Sequence, residues 1–263
     1  MQNFPSGPKR NYYGKGDVIA YRLNPGYFGA NVMMLLYGDA FWPTYTNGDN
    51  TGLVATDSMK NFIQRETANY RGQDLEPYCR FLAEKFLAKY PQTEGIQVTA
   101  TAIPYAEIGK EAFAPSGPER AMAAIEMRRG GEVVEQRSGI HGFRLMRLGG
   151  SAFTGFVRDE YTTLPELSDR PLHMWLDVEW VGAGGESLAA TVGSLVRDVF
   201  VSFESGSIQQ IIYKVGTKML ENLPAVHEVR LEANNRTWDQ VADHAYTDPR
   251  PPYGCLGLTL RRP

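Results

Sequence analysis

The sequence predicts an α+β protein, with an antiparallel sheet that carries helices on one of its faces. Three observations predict it. Short apolar runs of strand length lie between Gly, Pro and Asn turn signals. Longer segments repeat apolar residues every three or four positions, the spacing of one helix face. The order strand-strand-helix-helix-strand-strand is also written twice, dividing the chain into units 11–137 and 138–263. Antiparallel strands with segregated helices are the α+β arrangement.

The elements follow in order. Residues 17–21 and 30–37 are apolar runs flanking the turn Asn24-Pro25-Gly26, and they read as strands. Thr56-Asp57-Ser58 is a helix-start signal, followed at helical spacing by Met59, Phe62 and Ile63. A second helix covers 74–90, where Leu75, Tyr78, Leu82, Phe86 and Tyr90 form one face and Pro91 ends it. Ile96, Val98, Ala100 and Ala102 alternate as a strand. Strands at 121–128 and 133–136 flank the Gly130-Gly131 turn. After the linker Arg137-Ser138-Gly139, strands at 140–148 and 173–181 open the second unit. Helices at 188–200 and 207–223 follow, and strands at 227–233 and 255–260 close it. Helices on one face leave the other face and the sheet edges open, which predicts oligomerisation.

Composition sets the boundaries. The chain has 263 residues, is 43% hydrophobic and carries a formal net charge of −3. That is an ordinary globular composition, and its acidity argues against a nucleic-acid partner. The longest strongly apolar run, 32–36, is far short of the roughly 20 residues of a membrane span. The start of the chain is polar and Gly-rich, without the apolar core of a secretory signal. Two distant cysteines, Cys79 and Cys255, make neither a disulfide framework nor a Cys-based zinc site. His141, His173, His227 and His244 lack metal-ligand spacing. No Walker, dinucleotide or HExxH fingerprint occurs. Together these predict a cytoplasmic, reduced, globular protein.

Several polar stretches exceed what packing needs. Each has a plain structural reading. Lys15 in Tyr13-Gly14-Lys15-Gly16-Asp17 is a turn lysine, Thr56-Asp57-Ser58 a helix cap, and Ser207-Ile208-Gln209 another helix start. Arg158-Asp159-Glu160 is a surface ion-pair cluster, contributing under about 1 kcal/mol per pair, and Asn234-Asn235 is a turn. Taken one at a time, none carries a function.

Taken together, they resemble a family. The stretches 12–18, 49–61 and 155–166, then Ser207-Ile208-Gln209 and Asp248-Pro249-Arg250-Pro251-Pro252-Tyr253-Gly254, occur in the order seen in urate oxidase (uricase) of the bacterial type. The resemblance runs over about 11–260, nearly the whole chain. It implies a tandem T-fold that assembles into a barrel-like homotetramer, with active sites shared between two chains. It implies oxidation of urate by molecular oxygen to 5-hydroxyisourate and hydrogen peroxide, with no cofactor and no metal. Lys15 and Thr56 resemble the catalytic dyad that relays protons, and Asp57 the neighbouring position whose backbone meets the purine's five-membered ring. Phe153 matches the aromatic that stacks on the purine. Arg170 and Gln209 match the clamp on its pyrimidine edge, with the Ile208 backbone adding a hydrogen bond. Asn235 resembles the asparagine that holds oxygen or water above the ring.

The pattern departs from the family in places. Many members carry Asn-Lys-His where this chain has Asn235-Arg236-Thr237. Thr237 passes a proton through its hydroxyl but is not a base near neutral pH, which implies a variant relay. Loops near 25–31, 181–188 and 243–246 are short, and the C-terminus carries no Ser-Lys-Leu-type peroxisomal address. Two rivals follow from the residues. One is a non-catalytic purine binder on the same scaffold. The other is a pterin- or purine-directed T-fold enzyme, which the sparse histidines disfavour.

Overall fold

The computed structural model describes residues 11–182, 184–236, 238–248 and 251–262. The chain divides into two compact units, the first holding 1–139 with 184–186 and the second 140–183 with 187–263.

In the first unit, β1 (Tyr13–Arg22) pairs antiparallel with β2 (Phe28–Tyr37). A short 3-10 turn at Asp39–Phe41 leads into α1 (Trp42–Asn47). Helices α2 (Thr56–Thr67) and α3 (Leu75–Lys89) follow, then β3 (Gly95–Ala102) beside β2. A hairpin, β4 (Tyr105–Gly109) with β5 (Ala112–Pro115), stands apart from the main sheet. Strand β6 (Arg120–Arg128) pairs with β3, and β7 (Val133–Arg147) follows. The period-2 pattern does the sorting. Ile96, Val98 and Ala100 of β3 face Met59, Ile63, Tyr78, Leu82 and Phe86 of the two helices in one core. Gln97 and Thr99 alternate with them and are buried as well.

The second unit takes the rest of β7, then β8 (Leu172–Gly182), α4 (Glu186–Val201), α5 (Ile208–Asn222) and β9 (Val226–Arg236). A small hairpin, β10 (Gln240–Ala242) with β11 (Ala245–Tyr246), precedes β12 (Tyr253–Arg261), which pairs with β9. Met174, Leu176, Val178 and Trp180 alternate along β8 and enter the core with Val192, Ile211 and Val215 of the helices. The expected antiparallel α+β architecture holds.

Four expectations change. The two strands read at 133–136 and 140–148 are one strand, β7, and the linker 137–139 does not exist as a break. Polar Arg137 and Ser138 looked like a loop, but both are buried and partnered: Arg137 pairs with Glu135 at 3.0 Å, and Ser138 Oγ donates to Glu76 at 2.6 Å. Asn234 and Asn235 lie in β9 rather than in a turn. Arg158-Asp159-Glu160 is no ion-pair cluster. Asp159 Oδ1 accepts from Tyr161 N at 3.0 Å, an Asx-turn, and Arg158 donates to the Leu164 carbonyl at 3.1 Å. Helix α1 and both hairpins carry no strong periodicity and escaped the sequence reading.

Candidate active site

Lys15, Thr56 and Asp57 lie in the first unit. Lys15 is a strand residue, not a turn lysine, and sits at the edge of a bulge in β1. Lys15 pairs with Met34, and the next paired residue, Val18, faces Val32, so Gly16 and Asp17 oppose Met33 alone. Asp17 takes a left-handed φ of 53° at the bulge and accepts from Asn31 at 3.2 Å. Gly14 is required by close approach: a Cβ there would stand 1.9 Å from the Met34 carbonyl oxygen. Tyr13 Oη accepts the Val54 N–H at 3.0 Å and packs edge-on against Phe41. That bond fixes the entry of α2, which packs on β1.

Thr56 is not a cap. The N-cap is Ala55, and no side chain caps this end. Thr56 and Asp57 occupy the first turn of α2. The Lys60 ammonium hydrogen-bonds Asp57 at 2.5 Å and holds its carboxyl below the usual range, with the charge of Lys15 adding to the effect.

The second unit holds a cleft of about 630 Å³, within the size range of small-ligand pockets. Phe153, Arg170, Ile208, Gln209 and Asn235 all line it. A short bridge positions the first two: Phe153 N donates to Leu167 O at 2.9 Å, and Leu167 N returns to Phe153 O at 3.2 Å. Asp169 accepts from Gly150 N at 2.7 Å, and Arg170 N donates to Ser151 O at 2.8 Å. The Arg170 guanidinium then rests 5.4 Å from the Phe153 ring centre. Burial pulls its pKa down from the ordinary arginine value, and its Nε is buried with no protein partner. A desolvated cation with an unsatisfied donor is suited to a planar anion.

The start of α5 supplies more of the lining. Ser207 Oγ accepts from Gln210 N at 3.2 Å, and Gln210 Oε1 accepts from Gly206 N at 2.8 Å. This local capping leaves buried Ile208 and exposed Gln209 in the first turn, where backbone N–H groups lack helical partners and the helix dipole favours negative charge. Asn235 projects from β9 opposite Gly254 of β12, and both line the cleft. Thr237 lies outside the described residues. Among those described, no group of three or more His, Cys, Asp or Glu side chains is placed to hold a metal ion, and no helix is long and apolar enough to cross a membrane.

The sequence reading missed further lining residues: Leu164, Arg236, Trp238 and Tyr246. It also missed Phe156, stacked on Phe153 at 5.0 Å and 14°. The apolar run containing Phe156 was visible, but nothing in it announced a stacked pair.

Comparisons with known proteins place the chain beside the uricases. The family model described as Uricase matches residues 136–252, the stretch holding Phe153, Arg170, Ile208, Gln209 and Asn235. A uricase of Haloferax volcanii is 39% identical over 261 residues, covering 90% of this chain and 82% of that protein. A uric acid degradation bifunctional protein of Bacillus sp. (strain TB-90) is 37% identical over 299 residues, covering 95% of this chain. The chain spans 60% of the length of that relative. A crystal structure of a uricase from Bacillus fastidious superposes with a TM-score of 0.86 at 35% identity, covering 97% of this chain and 94% of that one.

Proposed function

The chain belongs to the uricase family, with the T-fold architecture, and from that premise we propose that it oxidises urate with molecular oxygen to 5-hydroxyisourate and hydrogen peroxide. Urate gives up two electrons, oxygen takes them and leaves as peroxide with two protons, and water supplies the hydroxyl at the purine carbon. The observation that carries the reading is the cleft in which Arg170 lies beside the Phe153 ring while Gln209 and Asn235 line the same space.

In this reading Arg170 and Gln209 hold the pyrimidine edge of the urate anion, and the Ile208 N–H adds a hydrogen bond. Phe153 stacks on the ring. Asn235 holds oxygen or water above it. Lys15 acts through Thr56 to move protons between urate and that oxygen or water, and the Asp57 backbone meets the five-membered ring. Thr237 passes a proton through its hydroxyl. The reaction needs binding, deprotonation and positioning, since urate is itself the reductant.

We further propose that one chain supplies Lys15, Thr56 and Asp57 and a second supplies the cleft, within a homotetramer. Cys79 and Cys255 are unpaired, which suits a reducing compartment such as the cytoplasm.

The test is oxygen uptake together with loss of urate's ultraviolet absorbance, in excess chelator. Equal loss of urate and oxygen is expected. Saturable urate binding without oxygen uptake would overturn the oxidase reading in favour of a binding protein. Activity abolished by chelator and restored by a metal would overturn the cofactor-free mechanism.

A further inference from the structure

Asn235 sits near the end of β9, where a strand loses its neighbours. Its side chain shares a sheet face with Ala233 and Leu231, which face the helices. The next residue, Arg236, also borders the cleft at the strand end, but its side chain points to the opposite face and is only 9% exposed. There its guanidinium is sandwiched, 3.8 Å from the Trp175 ring centre and 4.1 Å from that of Tyr253. Arg144 contacts Trp175 as well, at 4.8 Å. Among the described residues, no carboxylate forms a salt bridge with Arg236, and its Nε is buried without a hydrogen-bond partner. Two aromatic faces therefore replace an ion pair.

The sandwich spans three strands. Trp175 belongs to β8 and pairs in register with Asn234, while Tyr253 is the register partner of Arg236. Tyr253 also immediately precedes Gly254, the register partner of Asn235. A cation held between two rings and shielded from water is attracted by both ring faces, and here that attraction is concentrated where β9 would otherwise fray. Lysine does not reproduce a flat two-sided stack.

We propose that Arg236 is a positioning residue: stacked between Trp175 and Tyr253 on one face of the sheet, it fixes the end of β9 so that Asn235 on the other face is held rigidly in the cleft. The inference rests on the role given to Asn235 under the proposed function. Misplacing a reacting or positioning group by about an ångström costs on the order of 100-fold in rate.

The test uses the full chain in its native assembly and measures kcat, KM for urate and KM for oxygen, with circular dichroism and melting as fold controls. Arg236→Met is expected to lower kcat about tenfold or more while urate KM stays within about twofold, since the Arg170 and Gln209 clamp is untouched. Tyr253→Leu should follow it, and Tyr253→Phe, which keeps the ring, should restore the rate relative to Tyr253→Leu. In the double variant Arg236→Met with Asn235→Ala, the rate should be no lower than with Asn235→Ala alone, because both act through one group. Multiplying effects would overturn the proposal, as would near-normal kcat in Arg236→Met beside a crippled Asn235→Ala. If Asn235→Ala is itself fully active, the assignment of Asn235 falls and the positioning role falls with it. Should Arg236→Met fail to fold, the Tyr253 series decides alone: a Tyr253→Leu enzyme with unchanged kcat overturns the proposal.

Discussion

Tyr13 Oη accepts the Val54 N–H at 3.0 Å, two residues before Lys15 on one segment and two before Thr56 on the other. The bond ties the strand carrying the lysine to the segment that opens the threonine's helix. Burial raises the Tyr13 hydroxyl to about 12, so it stays protonated throughout the neutral range. Tyr13→Phe keeps the edge-on contact with Phe41 but strands the Val54 donor, at a cost of about 1–3 kcal/mol. We predict a lower melting temperature and a fall in kcat larger than any rise in urate KM. Unchanged kcat would show that the dyad needs no such tether.

Thr56 and Ser207 each open a helix, but only Ser207 caps one. Ser207→Ala should therefore cost about 1 kcal/mol of stability. Thr56→Ala should stay within about 0.5 kcal/mol while turnover falls by orders of magnitude, as it should in Lys15→Ala. Calorimetry beside kinetics checks the pair. Stability loss in Thr56→Ala with normal turnover would reverse the assignment.

Arg170 is a half-buried cation of the cleft, with its Nε shut off from solvent and without a protein partner. Its loss should weaken urate binding by about 2–5 kcal/mol, because a buried anion loses its charge partner. Arg170→Lys should recover little, since a point charge cannot offer a planar fork of donors. Equilibrium urate binding measures both variants, and wild-type affinity in Arg170→Lys would rule out bidentate recognition.

His173 has its pKa lowered, chiefly by burial and then by the charges of Arg144 and Arg236, with Asp248 opposing. The unfolded chain therefore binds the proton more readily than the folded one. The stabilising contribution is complete above the ordinary histidine value near 6.5 and fades as pH falls below it. Denaturation midpoints measured from pH 8 down to pH 5 should decline, and His173→Phe should flatten that decline. An unaltered slope would assign it to other groups.

Much of the fold was legible because its signals are local. Met59 and Ile63 in α2, and Met174 to Trp180 in β8, carry their burial in a period of two or of three to four. Gly14 and Lys15 stood out only as part of a motif, since nothing local says that Met34's carbonyl lies where a Cβ would go. Arg137 and Ser138 misled for the opposite reason. Their polarity reads as a break until Glu135 and Glu76 are seen to satisfy it inside the unit.

The sequence by itself determined the α+β class, the order of helices and strands, and, through motif resemblance, the residues of the proposed site. Only tertiary structure decided that Phe153, Arg170, Gln209 and Asn235 share one cleft, and that Arg236 lies between Trp175 and Tyr253. The reason is physical. Periodicity records which way a side chain points along its own element, whereas a cleft or a stack depends on the register between strands far apart in the chain, set by long-range pairing.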